Sequence, residues 1–361
     1  MSKPRLLTGD TPTGKLHIGH YVGSIENRLA LQDAYECFFL IANKHAFTTR
    51  ADKPAEIRQS VMEIATDWLA VGIDPQKSAM FIQSEVPAID ELTFFLAMLI
   101  PFNRVMRNPT LKSEIEDKGL GENYPFGFPM YAVGQCADIL AFRPEIVPVG
   151  EDQVAHLELC REVTRKFNQT YCGVDPHAKD EDATKLGGVF PVIKPKVGRI
   201  KRLVGLGAPG PNGNLQKMSK SLNNAIFLSD SLAEIEKKVK GMYTDPKRLR
   251  VTDPGETDPE KNPLWAMHDA FNTDTAWVTE HKDLYANGKV GDVVIKKKLV
   301  EVLDALIEPI RTKRKHFEDR PDDVLDALKL GTQKANVVAE ETLALAKKAM
   351  KQDYFARTLA I

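Results

Sequence analysis

The chain has 361 residues, 43% of them hydrophobic and 27% charged, with a formal net charge of -1. That length is two or three domains' worth of chain with enough apolar content for a sizeable core, and no apolar run approaches the roughly 20 residues that span a bilayer, so a soluble globular protein without membrane contact is predicted. The near-zero charge excludes a binder of nucleic acid driven by a global basic excess, though not one that works through local patches. Met1-Ser2-Lys3-Pro4 leads straight into a strand without a signal peptide, which predicts a cytoplasmic location. The four cysteines, Cys37, Cys136, Cys160 and Cys172, form no C-x-x-C pair, so reduced thiols and no protein-held metal are expected.

In chain order, Leu6 and Leu7 close a short apolar strand. Gly9, Pro12 and Gly14 then mark a turn, after which apolar positions spread to helical spacing through Ile25, Leu29 and Leu31. Such a junction presents free backbone N–H groups at the positive end of a helix, where phosphate is stabilised without side-chain charge. Inside it stands His17-Ile18-Gly19-His20. Two imidazoles three residues apart can face one ligand, with Gly19 leaving room for a flat base, although the same pair also suits ordinary satisfied histidines.

Residues 37–42 form a continuous apolar run of parallel-strand type, and 55–71 carries Ile57, Val61, Ile64, Trp68 and Leu69 on one helical stripe. Further strands are predicted at 80–83 and 146–150, with helices at 89–99, 130–142 and 152–167. This alternation predicts an α/β fold, a doubly wound parallel sheet whose ligands bind beyond the carboxyl ends of its strands. Between 205 and 214 lie four glycines and two prolines, which predict a mobile loop over 205–224 with no packed element. It contains Lys217-Met218-Ser219-Lys220-Ser221. Two lysines in a loop beside a phosphate site can stabilise charge developing on departing pyrophosphate, though a short Lys/Ser string is also what a solvated loop looks like. From Leu232 the strand signal disappears, and 299–311 and 335–350 read as amphipathic helices, so an all-helical C-terminal domain is expected.

Taken together, the two strings resemble the paired signatures of class I aminoacyl-tRNA synthetases, both present without substitution. The resemblance implies a Rossmann-like catalytic domain over 1–228, including the lysine loop. It also implies a helical anticodon-binding domain over 229–361, whose last helices pack back on the first. It further implies attack of an amino acid carboxylate on the α-phosphate of ATP, release of pyrophosphate with Mg²⁺, and transfer to the 3′ adenosine of tRNA. No side-chain nucleophile is needed, because alignment and charge stabilisation suffice. His17, His20, Lys217 and Lys220 would be the catalytic set, with Thr11, Thr13, Gly19, Met218 and Ser219 also around ATP.

Tyr131, Gln135 and Asp138 lie at i, i+4 and i+7 among small or apolar neighbours, on one helix face that either meets a polar ligand or turns to water. An indole N–H or a phenol O–H would satisfy such a face. This Tyr-x-x-x-Gln-x-x-Asp spacing resembles both the tyrosyl and the tryptophanyl members of the class. Three places favour the tryptophanyl family. Leu7 stands where tyrosyl enzymes usually carry a tyrosine two residues before Gly9, Lys44-His45-Ala46-Phe47-Thr48 looks tryptophanyl, and residues 146–158 are similar to the tryptophanyl sequence around its ribose-binding carboxylate. Carried onto this chain, Gly150, Asp152 and Gln153 would bind ATP, with Asp152 on the ribose or, more simply, capping a helix. Leu7, Gly9, His45, Tyr131, Gln135, Asp138, Val147 and Val149 would surround L-tryptophan, with Asp138 accepting from the indole.

Departures from the family pattern bear on these expectations. Many bacterial members carry methionine at Gln135 and glutamine at Thr11, and the 205–216 tract is longer and richer in glycine than the usual approach to the lysine loop. No cysteine follows Cys172, which excludes the iron–sulfur cluster some members hold. The family also implies tRNA(Trp) as partner and a homodimer, with the apolar positions of 89–105 as either interface or core. Lys194, Lys196, Arg199, Lys201 and Arg202, and Arg311, Lys313, Arg314 and Lys315, are candidate tRNA contacts or ordinary solvated faces. A tyrosyl enzyme, a synthetase-like paralogue that binds or activates tryptophan without charging tRNA, and a simple nucleotidyltransferase are the alternatives.

Overall fold

The structure is a computed structural model that describes residues 3–200, 202–220 and 222–355. Ser221 of the lysine motif and Lys201 of the first basic group lie outside the described residues. The chain divides into two compact units, one made of 1–14, 27–197 and 320–361, the other of 15–26 and 198–319.

In the first unit, five parallel strands, β1 (Arg5–Asp10), β2 (Glu36–Ile41), β3 (Ser78–Ile82), β4 (Ile146–Val149) and β5 (Lys194–Val197), lie in the order β3-β2-β1-β4-β5. Strand order reverses between β1 and β4, so the crevice for a ligand opens at their carboxyl ends. Leu7, Gly9, Val147 and Val149 all belong to those two strands. The runs read as apolar strands are buried on both faces, as parallel strands under helices must be. By contrast β5, Lys-Pro-Lys-Val, is exposed along its whole length and carries no apolar signal; lysine and proline suit a sheet edge, which is why sequence periodicity missed it.

The 55–71 prediction corresponds to the helix Pro54–Val71, whose buried Trp68 donates from Nε1 to Asp10 Oδ2 at 3.0 Å. Arg28, also fully buried, donates to the same oxygen at 2.8 Å and lies over the rings of Phe39 and Trp68. Asp10 at the end of β1 is thereby fixed by two donors from different helices. Three short helices, Asn43–Arg50, Phe102–Met106 and Pro109–Asp117, were not legible in the apolar pattern because each buries a single residue.

At the other side of the sheet, the helix Pro321–Ala349 packs on the outer strand β3. Its approach depends on Gly331: a Cβ there would fall 2.0 Å from the Met80 carbonyl oxygen and 2.6 Å from the Met80 nitrogen. Those are backbone atoms and cannot swing aside. Gly331→Ala is therefore expected to destabilise the protein by about 1–3 kcal/mol through overpacking, although alanine is intrinsically the better helix former by about 1 kcal/mol. Calorimetry would show a melting temperature lower by several degrees; an unchanged or raised one would contradict the close packing.

The second unit contains the helices Leu232–Lys240, Pro263–Phe271, Thr275–Ala286 and Asp292–Glu318. The 299–311 stripe is the middle of a longer helix, Asp292–Glu318, and the 335–350 stripe is the C-terminal half of the helix Pro321–Ala349 with its cap Met350. The expected cut at residue 228 does not coincide with the division into units. Leu16, His17 and Ile18 pair with 226–228, through Ile18 N–H to the Ile226 carbonyl (3.0 Å) and Leu228 N–H to the Leu16 carbonyl (3.0 Å), so the first signature joins the later segment. Among the described residues no helix is long and apolar enough to cross a membrane.

Candidate active site

In the second unit the two signatures come together. His17 is the N-cap of a helix that begins at Ile18, and the two histidines form a capping box usually built from Ser and Glu: His17 Nδ1 accepts from Gly19 N–H at 3.1 Å, and His20 Nδ1 accepts from His17 N–H at 3.1 Å. The rings lie 3.8 Å apart. With both Nδ1 atoms engaged as acceptors, the neutral rings carry their protons on Nε2 and can offer them as donors. Burial, then the charges of His20, Lys220 and Lys217, hold the His17 imidazole far below its ordinary value, so it stays neutral at every working pH. The helix passes through a π turn at Tyr21–Ile25 before Glu26–Leu31.

Gly19 sits between the signatures. A Cβ there would stand 2.9 Å from the His17 ring and 3.6 Å from Met218 Sδ, so the glycine admits both. The lysine loop is not the unpacked segment its glycines and prolines predict. Leu203, Leu206, Leu215 and Met218 are buried, Val204 bridges Lys217, Met218 N–H donates to the Leu203 carbonyl at 3.0 Å, and Gly205 N–H donates to the Gln216 carbonyl at 2.8 Å. Four apolar side chains spaced through a Gly/Pro tract provide the anchor, and the composition of the tract conceals it. Asn224, outside the signature, accepts from Ser219 N–H at 2.7 Å.

In the first unit the face Tyr131, Gln135, Asp138 of the helix Gly127–Leu140 turns inward, not to water. Asp138 is 1% exposed and accepts from Gln83 Nε2 at 2.8 and 3.0 Å. Gln83 is itself oriented by Lys44 N–H, which donates to its Oε1 at 3.0 Å. Burial raises the Asp138 carboxyl to about 7, against the lowering effects of the Gln83 bond and Lys44. His45 Nε2 stands 3.4 Å from Asp138, but burial brings that imidazole down to about 4, so the contact is not an ion pair near neutrality.

Tyr131 is held by a residue that the sequence reading passed over. Asn108 Nδ2 donates to His156 Nδ1 at 3.2 Å, which leaves the His156 Nε2 proton for the Tyr131 hydroxyl at 3.0 Å. Burial brings His156 down to about 4 and pushes the Tyr131 phenol up, so both stay neutral. Gln135 donates to Gln153 Oε1 at 3.4 Å, and Gln153 donates to Asp152 Oδ2 at 3.1 Å, which ties the amino-acid face to the Gly150–Gln153 turn. Gln135 Oε1 is buried and makes no hydrogen bond within the chain. Asp152 lies in a short 3-10 turn, Glu151–Gln153, with an exposed side chain, and the N-caps of that turn and of the following helix are Gly150 and Gln153.

Gly9 is required by the sheet, since a Cβ would meet the Leu40 carbonyl oxygen at 2.4 Å. Leu7 and Val147 are buried in the same cluster as the Gly127–Leu140 helix. Thr11 and Thr13 are exposed on the loop leaving β1, whose Pro12 carbonyl accepts from Arg50 at 3.3 Å. Gln83 and His156 escaped the reading because single polar residues in apolar surroundings carry no periodic signal. The one available clue was that Gln83 ends a predicted strand at its carboxyl end, where ligands bind.

Two of the candidate tRNA-binding arginines are structural. Arg311 donates to the Asp230 carbonyl (2.8 Å) and pairs with Asp304 (3.1 Å), while Arg314 is buried against Glu318 (3.0 Å). Arg199 is paired with Glu26 at 2.7 Å and Arg202 donates to the Leu215 carbonyl at 2.9 Å. Lys194, Lys196, Lys313 and Lys315 are exposed.

The family described as tRNA synthetases class I (W and Y) matches residues 1–308. A tryptophan–tRNA ligase of Streptococcus mutans is 44% identical over 365 residues, covering 98% of this chain and 100% of that one. A tryptophan–tRNA ligase of Lactococcus lactis is 45% identical over 359 residues, with 98% and 100% covered. Among solved structures, tryptophanyl-tRNA synthetase from Campylobacter jejuni, complexed with ADP and tryptophan, superposes with a TM-score of 0.77 at 29% identity, covering 96% of this chain and 99% of that one. With that family match over most of the chain, and with both signatures and a five-stranded parallel sheet present, the chain belongs to the class I tRNA synthetases of the tryptophan and tyrosine family.

Proposed function

We propose that this protein is a tryptophan–tRNA ligase, which joins L-tryptophan to ATP as tryptophanyl-adenylate and then transfers it to the 3′ adenosine of tRNA(Trp). The observation that carries the choice of amino acid is Asp138, a buried carboxylate aligned by Gln83 on a helix whose apolar residues share one core cluster with Leu7. An indole N–H satisfies it, and Leu7 supplies no hydrogen bond to a phenol. Gln135 Oε1, buried and without a hydrogen bond, suits the substrate's α-ammonium.

In the activation step a tryptophan carboxylate oxygen bonds to the α-phosphorus of ATP, the bond to the β-phosphate oxygen breaks, and pyrophosphate leaves with its electron pair. The Nε2 protons of His17 and His20 and the ammonium groups of Lys217 and Lys220 are donors suited to the charge that builds on phosphate oxygens. Asp152 is assigned to the ribose, with Gly150 and Gln153 beside it and Thr11 and Thr13 on the loop after β1. Mg²⁺ belongs to this reading as a companion of the ATP phosphates.

ATP–pyrophosphate exchange with each amino acid tests the reading. Exchange with tryptophan and not tyrosine is expected; the reverse would make the protein a tyrosyl enzyme. Charging of a tRNA(Trp) transcript separates a ligase from a paralogue that stops at the adenylate.

The Asp138 carboxyl adds a pH dependence. A donated indole N–H favours its ionised form, so tryptophan binds the ionised pocket and expels the proton from the protonated one. Affinity is therefore full above about pH 7 and weakens as pH falls below that, approaching about tenfold per pH unit. His45 and His156, both near 4, stay neutral over that window. Equilibrium dialysis of tryptophan between pH 5.5 and 8.5 checks this; a flat profile would place Asp138 away from the indole.

A homodimer completes the proposal. In 89–105 the positions Ile89, Leu92, Leu96 and Val105 are core, but Phe94, Met98 and Phe102 are 65%, 63% and 57% exposed, an apolar face suited to a second copy. Sedimentation equilibrium giving the mass of one chain would sink it. A cytoplasmic location fits the same function.

A further inference from the structure

The lysine loop is braced from beneath by a side chain outside its signature. Asn224 is 5% exposed and reaches back across the turn: its Oδ1 accepts from Ser219 N–H at 2.7 Å and its Nδ2 donates to the Lys217 carbonyl at 3.3 Å. Its own carbonyl accepts from Leu206 N–H at 2.9 Å, which ties the far side of the glycine-rich tract to the same residue. Space for the amide exists because residue 205 is glycine. A Cβ on Gly205 would lie 2.1 Å from Asn224 Nδ2 and 2.2 Å from its Cγ. The backbone on both sides of Met218 is thus held by one buried amide.

We propose that Asn224 is a positioning residue for adenylate formation: it fixes the backbone at 217 and 219 so that Lys217 and Lys220 present their ammonium groups in the orientation the phosphates require. The proposal rests on the reading that these lysines act on ATP. Among the described residues the side-chain hydrogen bonds of Asn224 are to loop backbone, and it takes no part in the chemistry itself. Its effect is entropic and geometric. A tract with four glycines in ten residues loses much conformational freedom when ordered, and a misplacement of about 1 Å in a charge that acts in the transition state costs on the order of a hundredfold in rate. An amide that satisfies an N–H and a carbonyl on either side of Met218 removes that freedom before the substrate arrives.

The structure supplies two ways of breaking the brace and one control. Asn224→Ala removes both hydrogen bonds. Gly205→Ala keeps the asparagine at 224 but puts a methyl 2.1 Å from its Nδ2 and 2.2 Å from its Cγ, which displaces the amide from both hydrogen bonds. Gly207→Ala adds the same methyl in the same tract, but its Cβ would stand 3.7 Å from Asn224 Cβ, an ordinary contact.

The experiment compares the full-length protein and the three variants in tryptophan-dependent ATP–pyrophosphate exchange, with tryptophan affinity measured separately by equilibrium dialysis. N224A and G205A are each expected to lose at least about tenfold in kcat with tryptophan Kd within about twofold of wild type, while G207A matches wild type. Undiminished turnover in N224A or G205A overturns the proposal. So does a loss of tryptophan affinity in step with turnover, which marks a general structural defect, or an equal loss in G207A, which assigns the effect to the flexibility of the tract. If the wild-type protein itself shows no tryptophan-dependent exchange, the proposed function fails and the role of Asn224 falls with it.

Discussion

Replacing Lys220 with alanine is expected to lower the turnover of tryptophan-dependent exchange by about 10²–10³-fold while leaving tryptophan affinity within about twofold. Negative charge grows on the departing pyrophosphate only as the bond to the α-phosphorus breaks. A point charge aimed at that oxygen therefore stabilises the transition state more than the ground state, and its loss falls on kcat. The charges of both lysines reach His17, the N-cap of the first-signature helix, where they help keep the imidazole neutral. Lys220 thus belongs electrostatically to the same cluster as the histidines. In the proposed site tryptophan is recognised by Asp138 and Gln83, so loss of the Lys220 charge is expected to spare its affinity. Pre-steady-state adenylate formation and equilibrium dialysis on the same preparation check this, and equal losses in rate and affinity would contradict it.

Asp138→Asn is expected to erode the preference for tryptophan over phenylalanine by about 10- to 100-fold. The change keeps size and shape, so the loss must come from hydrogen-bond direction. In the native site Gln83 Nε2 donates to both Asp138 oxygens, and its Oε1 is already committed to Lys44 N–H at 3.0 Å. An amide at 138 turns one acceptor into a donor facing another donor. Gln83 can relieve that only by flipping, which abandons Lys44 N–H inside a buried site and leaves a polar group unpaired at a cost of about 1–3 kcal/mol. Phenylalanine has no N–H to lose, so it is affected less. The ratio of kcat/KM for the two amino acids measures the effect; an unchanged ratio would remove Asp138 from the indole pocket. The variant should also lose the decline in tryptophan affinity below about pH 7, because the titrating carboxyl is gone.

The sequence by itself determined the reaction class and the sheet. His17, His20, Lys217 and Lys220 are recognisable because charge and phosphate chemistry restrict the residue types that work, in short contiguous strings. The four strands β1 to β4 were legible because burial under flanking helices demands apolar runs. Tyr131, Gln135 and Asp138 were legible as a set because helical spacing places them on one face.

Only the tertiary structure decided how those residues are held. It joined the first signature to residues 226–228, identified Gln83, His156 and Asn224 as hydrogen-bond partners of candidate site groups, and gave Arg311 and Arg314, candidate tRNA contacts, partners within the chain. It also showed that the Gly/Pro tract carries a buried anchor and that β5 exists. The physical reason is common to all of these. A hydrogen bond between side chains far apart in the chain leaves no period and no motif, and whether an arginine meets solvent or a carbonyl depends on what packs against it.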